Sequence, residues 1–273
     1  MQRASIPALP PVVPSAAHTR PSRHTSRYRH RFTPRYVIAG IAACAVLISA
    51  GLTIGRSLFT SAAPTAASAT YITGRGERLA ITLPDGSTVR LNVASRIDIP
   101  ADYLQGNRTV RLDGEGLFTV NHHSNAPFTV IAGQAHARVL GTSFVVRHYV
   151  TDTAATVAVR DGKVAVGNTV LTAQQQVTVG TEGMSLVTPT SIGQFGFATG
   201  LLTVDNMRLS DAVIELSRWY DADIRLGTSA LNNRRLKGQF KTESLADLAS
   251  MLEWSLGLRV IRDGRTLTLY PNP

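Results

Sequence analysis

The sequence predicts a single-pass membrane protein whose main part is an all-β domain followed by a small α+β module. Three observations carry this prediction. Residues 36–55 hold no charged side chain, hydrophobic residues alternate with period two from about residue 71 to 187, and the period changes to 3.6 after residue 200. The predicted order is a cytoplasmic tail at 1–35, a transmembrane helix at 36–55, a linker at 56–70, the all-β domain at 71–187 and a β-α-β-β-α-β-β module at 188–273.

The uncharged segment is long enough to cross a bilayer once. At a rise of about 1.5 Å per residue, a helix of this length extends about 30 Å, the thickness of the hydrocarbon core. Seven Arg and no Asp or Glu precede it, so the N-terminus is expected in the cytoplasm and the bulk of the chain in the periplasm, from a bacterial inner membrane. A cleaved signal peptide, favoured by small residues around Ala67, is the alternative and predicts the same direction of export.

The charge distribution separates the tail from the rest of the chain. Of the net charge of +10, the tail carries +7, Arg56 adds +1 and all later residues add +2. The exported part therefore lacks the basic surface of a nucleic-acid-binding protein. The tail has six Pro and few large apolar residues, so it is expected to be disordered. Cys44 lies in the predicted span, which excludes a disulfide within the periplasmic part.

Short strands separated by turn signals predict the all-β domain. The turn signals are Pro84-Asp85-Gly86-Ser87, Asp113-Gly114 and Asp161-Gly162, and the last is predicted to form a tight two-residue hairpin. No amphipathic helical pattern interrupts this region. Closely spaced strands of this kind indicate a sandwich, barrel or roll.

Two amphipathic helices define the module. Leu209, Ala212, Val213 and Leu216 have helical spacing, and the same spacing returns 36 residues later, starting at Leu245. Asn206 and Thr242, each three residues before the leading Leu, are predicted to be the N-caps. Short apolar segments before and after each helix predict the strands of the module.

Several motifs of the β domain together resemble the FecR-type transmembrane anti-sigma regulators. The residues that carry the resemblance lie at 82–92, 110–120, 127–133 and 157–164, and the most specific of them form a Leu-Gly-Thr-x-Phe element at 140–144. The matching motif residues are interpreted as turn and packing positions: Asp85, Gly86, Gly114, Glu115, Leu140, Gly141, Thr142 and Phe144. The final module is similar to the domain that closes these proteins, which is related to the secretin and TonB short N-terminal fold.

The resemblance implies a signalling relay across the cell envelope. The signalling domain of a TonB-dependent outer-membrane receptor would contact the C-terminal module, and the chain would then control an extracytoplasmic-function sigma factor, in a setting such as iron or siderophore uptake. The tail departs from the family pattern, since both Trp of the chain are in the exported part. Either the tail makes a short linear contact, or a separate protein binds the sigma factor, or the true start lies upstream. The alternative function is a structural or ligand-binding protein of the cell envelope.

Partner-binding candidates lie in the module. Trp219 and Tyr220 end the first helix, where partly exposed rings would anchor a partner. The alternative is that Trp219 closes the core of the module, which suits Trp219 better than Tyr220. Leu202, Leu209 and Leu216 recur every seven residues, which indicates either a zipper or, more commonly, core positions.

No catalytic, cofactor or metal site is expected. Adjacent residues of a strand point to opposite faces, so His122 and His123 do not form a ligand pair. No motif frames a nucleophile. The sequence therefore favours a binding protein over an enzyme.

Overall fold

Short strands fill the first part of the structure, as the period-two pattern predicts. The described residues of this computed structural model are 68–241 and 244–272. We call residues 69–189 the β-sheet region. Its strands are β1 (Ala69–Ile72), β2 (Leu79–Thr82), β3 (Thr88–Leu91), β4 (Arg96–Ile99), β5 (Thr109–Thr119), β6 (Phe128–Ala132), β7 (Ala135–Val139), β8 (Ser143–His148), β9 (Ala154–Asp161), β10 (Lys163–Val166), β11 (Thr169–Thr172), β12 (Gln175–Gly180), β13 (Gly183–Met184) and β14 (Thr188–Pro189).

Strand β5 joins two halves of one sheet. Its first residues pair with β4 and β6, and its last residues pair with β3 and β8. The full order is β11-β10-β7-β6-β5-β8-β9-β12-β13, with β1 beside β4, β2 beside β3 and β14 beside β12. The bend is at Gly114, where φ is +109° and an added Cβ would collide with Ser95. The predicted turn at Asp113-Gly114 is therefore wrong, because both residues lie inside β5.

One hydrophobic core fills the space between the two halves. Phe118 of the second half of β5 lies 6.0 Å from Phe128 of β6 and 5.3 Å from Phe144 of β8, measured between ring centroids. All three rings are fully buried. Since β6 and β8 belong to opposite halves, these rings hold the halves face to face.

The predicted hairpin at Asp161-Gly162 is not formed. β9 pairs with β8 and β12, whereas β10 pairs with β7 and β11, so the two strands belong to different halves. Gly162 has φ of +94°, which allows the chain to cross from one half to the other. The Asp161-Gly162 pair thus predicts a positive φ correctly, but β9 and β10 do not pair with each other.

A buried ion pair fixes the turn at Pro84-Asp85-Gly86-Ser87, which connects β2 and β3. The Asp85 carboxylate accepts hydrogen bonds from the backbone and hydroxyl of Ser87, and it pairs with Arg108. Arg108 also donates to the carbonyls of Ala126 and Asn121. The side chains of Asp85 and Arg108 are 2% and 5% exposed, so solvent contributes little to their stabilisation.

The C-terminal module, here residues 201–271, has the element order that the hydrophobic periods predict. Its elements are β15 (Leu201–Arg208), α1 (Leu209–Tyr220), β16 (Asp223–Leu226), β17 (Arg235–Lys241), α2 (Leu245–Leu256), β18 (Leu258–Asp263) and β19 (Thr266–Pro271). β15 pairs with β17, and β19 is the middle strand of a second sheet, parallel to β16 and antiparallel to β18. A 3-10 helix at Ile192–Thr199 connects the module to the β-sheet region.

The predicted helix caps differ from those in the structure. α1 begins directly after β15, with Arg208 at the N-cap position and no side-chain cap, whereas Asn206 has φ of +49° at a register shift of β15. For α2, Ser244 is the N-cap and forms a capping box with Asp247. The predicted cap Thr242 lies outside the described residues.

The predicted tail, transmembrane helix and most of the linker also lie outside the described residues. β1 begins at Ala69, two residues before the predicted start of the folded part. Among the residues that the structure describes, no helix is both long and apolar enough to span a membrane.

Candidate functional site: the contact between the β-sheet region and the C-terminal module

The C-terminal module shares its hydrophobic core with the outer face of the β-sheet region. Val93, Leu117 and Val145 project from that face, are nearly fully buried, and belong to the same cluster as Leu209 and Leu216 of α1. Phe197 of the connecting 3-10 helix joins this cluster. The described residues from 68 to 272 accordingly belong to one compact unit.

Arg147 is the centre of a charged network at this contact. It lies opposite Glu115 in the pairing of β8 with β5, and its guanidinium is 3.9 Å from the Glu115 carboxylate. The same guanidinium is 3.2 Å from Asp152 and forms an ion pair with Glu215 of α1. Arg218, one turn further along α1, pairs with Glu215 at 2.7 Å. The network thus links α1 to two parts of the β-sheet region.

Burial and charge act in opposite directions on these groups. Burial raises the pKa of Glu115 above its ordinary value, although Arg147 and the amide of Asn92 oppose that rise. For Arg147, burial alone would lower the pKa, but Glu115, Glu215 and Asp152 raise it well above its ordinary value. Arg147 therefore stays charged. Its positive charge offsets the repulsion among the three nearby carboxylates in a largely buried contact.

A second contact holds the C-terminal end of α1. Gly76 donates its backbone N–H to the carbonyl of Arg218 at 2.8 Å, and Arg75 donates to the carbonyls of Ser217 and Ala222. The Arg218 carbonyl lies in the last turn of α1, where carbonyls lack a partner further along the helix. The Ser217 carbonyl also accepts from the backbone N–H of Asp221, and Ala222 follows the helix. The turn after β1, the strand that follows the predicted linker, is thereby attached to the module.

The predicted partner-binding residues are mostly part of the core. Trp219 is 2% exposed with the Arg78 guanidinium 4.3 Å from its ring, and Tyr220 is 9% exposed. Leu209 and Leu216 are fully buried, and only Leu202 is half-buried. The expected partial exposure of the two aromatic rings is therefore wrong, because both pack between α1 and the sheets. Leu209 and Leu216 are therefore core residues and not part of a zipper.

We predict that Tyr220→Phe lowers the free energy of unfolding by about 1 kcal/mol. The Tyr220 hydroxyl donates to the carbonyl of Lys241 at 2.7 Å, and the substitution removes that hydrogen bond while keeping the ring. Tyr270→Phe is the matched control, because no hydroxyl hydrogen bond of Tyr270 is present among the described residues. Urea unfolding followed by Trp fluorescence measures both variants. An equal effect of the two substitutions would contradict the prediction.

The motif residues occupy five separate places. Asp85 and Gly86 form the β2–β3 turn, and Gly114 bends β5. Phe144 is in the core. The remaining motif residues are divided between the module contact and a groove of the β-sheet region: Glu115 faces the module, whereas Leu140, Gly141 and Thr142 line the groove.

No catalytic or metal-binding arrangement stands out in the described ranges 68–241 and 244–272. No group of three or more His, Cys, Asp or Glu is placed to hold a metal ion there. His122 lies close to Gly141, where an added Cβ would approach the His122 backbone to 2.8 Å.

Comparison with known families decides the relationship of the chain. The FecR protein family matches residues 69–165, and the FecR C-terminal family matches residues 201–269. The chain belongs to the FecR family. The resemblance seen in the sequence motifs is thus confirmed, and the two matches correspond to most of the β-sheet region and nearly all of the C-terminal module.

Solved structures agree with this assignment. Two crystal structures of a "putative anti-sigma factor" from Parabacteroides distasonis are similar to this FecR-family protein, each at 27% identity with a TM-score of 0.67. They cover 75% and 76% of this chain and 100% of their own chains. Among curated proteins, none matches.

The charged network had no signal in the sequence of this FecR-family protein. Arg147 and Glu215 are 68 residues apart, and neither belongs to a helical or strand pattern that indicates a contact. In the sequence Glu115 is only a motif residue. Its burial within β5, which the structure reveals and the sequence does not, implies a charged partner, since an ionised carboxylate is rarely buried without one.

Proposed function

We propose that this protein is a non-enzymatic, membrane-anchored regulator of a sigma factor. Membership of the FecR family is the observation that carries the proposal, because both family matches are present in the expected order. The similarity to the Parabacteroides distasonis protein supports it. The uncharged segment at 36–55 supports an anchor in a bacterial inner membrane, with residues 1–35 in the cytoplasm.

The proposed signal arrives in the periplasm from the signalling domain of a TonB-dependent outer-membrane receptor, in a nutrient-uptake system such as that for iron. The C-terminal module offers a surface suited to it. β18 is an edge strand of the sheet β16-β19-β18, and its residue Ile261 is 48% exposed. An extended segment of a partner can pair with such an edge through main-chain hydrogen bonds.

Transmission from the module to the tail has a physical route in the described contacts. The module is attached to the turn after β1 through Arg75 and Gly76, and β1 is the strand nearest to the predicted anchor. A partner that shifts α1 therefore acts on the segment that leads towards the membrane. The proposed target of the signal is an extracytoplasmic-function sigma factor, which is contacted by the tail or through a separate cytoplasmic protein.

Transcript profiles of strains with and without this chain test the proposal. Genes controlled by one extracytoplasmic-function sigma factor should change together, by about tenfold or more, when the chain is deleted. Ile261→Glu should reduce the response to an inducing nutrient, because a charge on the edge strand opposes docking. Ile214→Glu on α1 is the matched control, since Ile214 is 44% exposed.

One outcome would contradict the regulator role, and another would contradict only the docking edge. An unchanged transcript profile together with a weakened cell envelope would favour a structural or ligand-binding role. Equal effects of the two Ile substitutions would remove β18 as the docking edge while leaving the regulator role intact.

A chain that begins at Thr33 distinguishes contact of the sigma factor by the tail from contact through a separate cytoplasmic protein. Loss of regulation in this variant assigns the contact to the tail.

A further inference from the structure

A groove of about 660 Å³ lies on the β-sheet region, in the half of the sheet that the module does not cover. Its floor is the outer face of β7, β10 and β11, where Arg138, Ala165 and Val170 stand side by side in register. One wall is the segment from His122 to Pro127. This volume is within the range of ligand-binding sites in proteins.

The backbone around the groove is held in place by hydrogen bonds. His123 donates its backbone N–H to the carbonyl of Leu140 at 2.8 Å. On the other side, the hydroxyl of Thr142 donates to the carbonyl of Lys163 at 2.7 Å. The Leu140–Thr142 segment is thus hydrogen-bonded to the His122–Pro127 segment on one side and to β10 on the other. The groove is therefore already formed before any ligand binds.

The lining combines positive charge with exposed apolar side chains. Arg138 and Lys163 are exposed, and neither has an ion-pair partner within the described residues. No Asp or Glu is among the lining residues. Leu140, directly after β7, and Val170 of β11 are 44% and 58% exposed, and together they give the groove an apolar surface.

We propose that this groove is a docking site for a short acidic peptide segment of a partner protein, with apolar side chains between its carboxylates. Arg138 and Lys163 would bind the carboxylates, and Leu140 and Val170 would contact the apolar side chains. Concavity favours a peptide over a membrane surface, because a flat bilayer does not fill a groove. The site is on the opposite part of the chain from the β18 edge, so this proposal is independent of the proposed function.

Photo-crosslinking with a designed peptide tests the proposal on the full chain in neutral detergent. The probe is Glu-Leu-Glu-Leu-Glu-Leu-Glu with the central Leu replaced by benzoylphenylalanine, at about 150 mM salt to limit non-specific attraction. Mass spectrometry locates the crosslinked residues, which separates the groove from the basic tail. Crosslinks are expected at residues 122–142 or 163–170, and excess unlabelled peptide should remove them.

Charge-matched variants make the test specific. Arg138→Glu combined with Lys163→Glu should lower the groove crosslink at least tenfold. Arg111→Glu combined with Arg208→Glu changes the net charge equally at exposed positions outside the groove and should lower it less than twofold. Leu140→Ser, which keeps the charge, should also weaken the crosslink, and unchanged Trp fluorescence shows that each variant is folded.

Three results would overturn the proposal. One is crosslinking to the tail alone, and another is an equal loss in both charge-reversed variants. The third is competition by phosphatidylglycerol added to the detergent micelles but not by unlabelled peptide, which would assign the groove to lipid headgroups.

Discussion

Replacing Arg108 with Met is expected to lower the free energy of unfolding by about 3 to 5 kcal/mol, the largest effect of any single substitution considered for this protein. Arg108 pairs with Asp85 in a site where both side chains are almost fully buried. Without the guanidinium, the Asp85 carboxylate and the Ala126 carbonyl lose their partner. Urea unfolding followed by Trp fluorescence measures the change. Arg111→Met, on an exposed residue of β5 three positions after Arg108, is the control and should change stability by less than about 0.5 kcal/mol.

The same pair gives a pH dependence of known sign. Burial alone would raise the pKa of Asp85, but hydrogen bonds from Arg108 and Ser87 hold it below its ordinary value of 3.8. Because the folded pKa is below the unfolded one, the stabilisation is present above the unfolded pKa of 3.8 and is lost as the pH falls below 3.8 and through the lower, folded pKa. In Arg108→Met this acid-sensitive loss should shrink.

A double substitution measures the interaction between Asp85 and Arg108 separately from their other contacts. Asp85→Asn keeps an oxygen for the Ser87 backbone but removes the charge that Arg108 compensates. Combined with Arg108→Met, it should cost less than the sum of the single effects. Strict additivity would show that the two side chains do not stabilise each other.

Replacing Arg147 with Met is expected to cost about 2 to 4 kcal/mol. The substitution leaves Glu115, Asp152 and Glu215 close together without the charge that holds them. The lower end of the range reflects a guanidinium that is 27% exposed. Urea unfolding again gives the measurement, and a loss below about 1 kcal/mol would mean that the network is not important for the module contact.

Two further variants identify the cause of that loss. Arg147→Lys keeps the charge but cannot reach three carboxylates with one planar group, so its effect should be intermediate. Glu215→Gln added to Arg147→Met should recover part of the stability, because it removes one uncompensated charge. Recovery by Glu215→Gln would place the effect at the contact with α1.

Local patterns predicted the elements of this fold well. The 3.6 period at Leu209 and Leu245 identified both helices, and alternation identified most strands, because burial of one face imposes those periods directly. The helix caps were missed by two residues each, since the start of a helix depends on where the preceding strand ends. Ser244 was the better cap because Asp247 completes its capping box.

The sequence does not predict which distant strands pair with each other. Asp161-Gly162 has the composition of a hairpin turn, yet its flanking strands join different halves of the sheet. The Arg147 network and the groove around Arg138 both assemble residues from separate strands, and nothing in local spacing indicates which strands become neighbours. The sequence leaves both a surface and a core position open for Trp219, and the packing of the module against the β-sheet region places its ring in the core.

The position of β19 imposes an order on biosynthesis. β19 is the final strand of the described chain, yet it is the middle strand of its sheet, and β16 and β18 contact each other only through it. A nascent chain that has already produced β16, α2 and β18 still has no sheet on which to close them. The edge strand β18, proposed above as the docking edge, is therefore part of a sheet only once β19 has been made, so a chain truncated before Thr266 cannot present it.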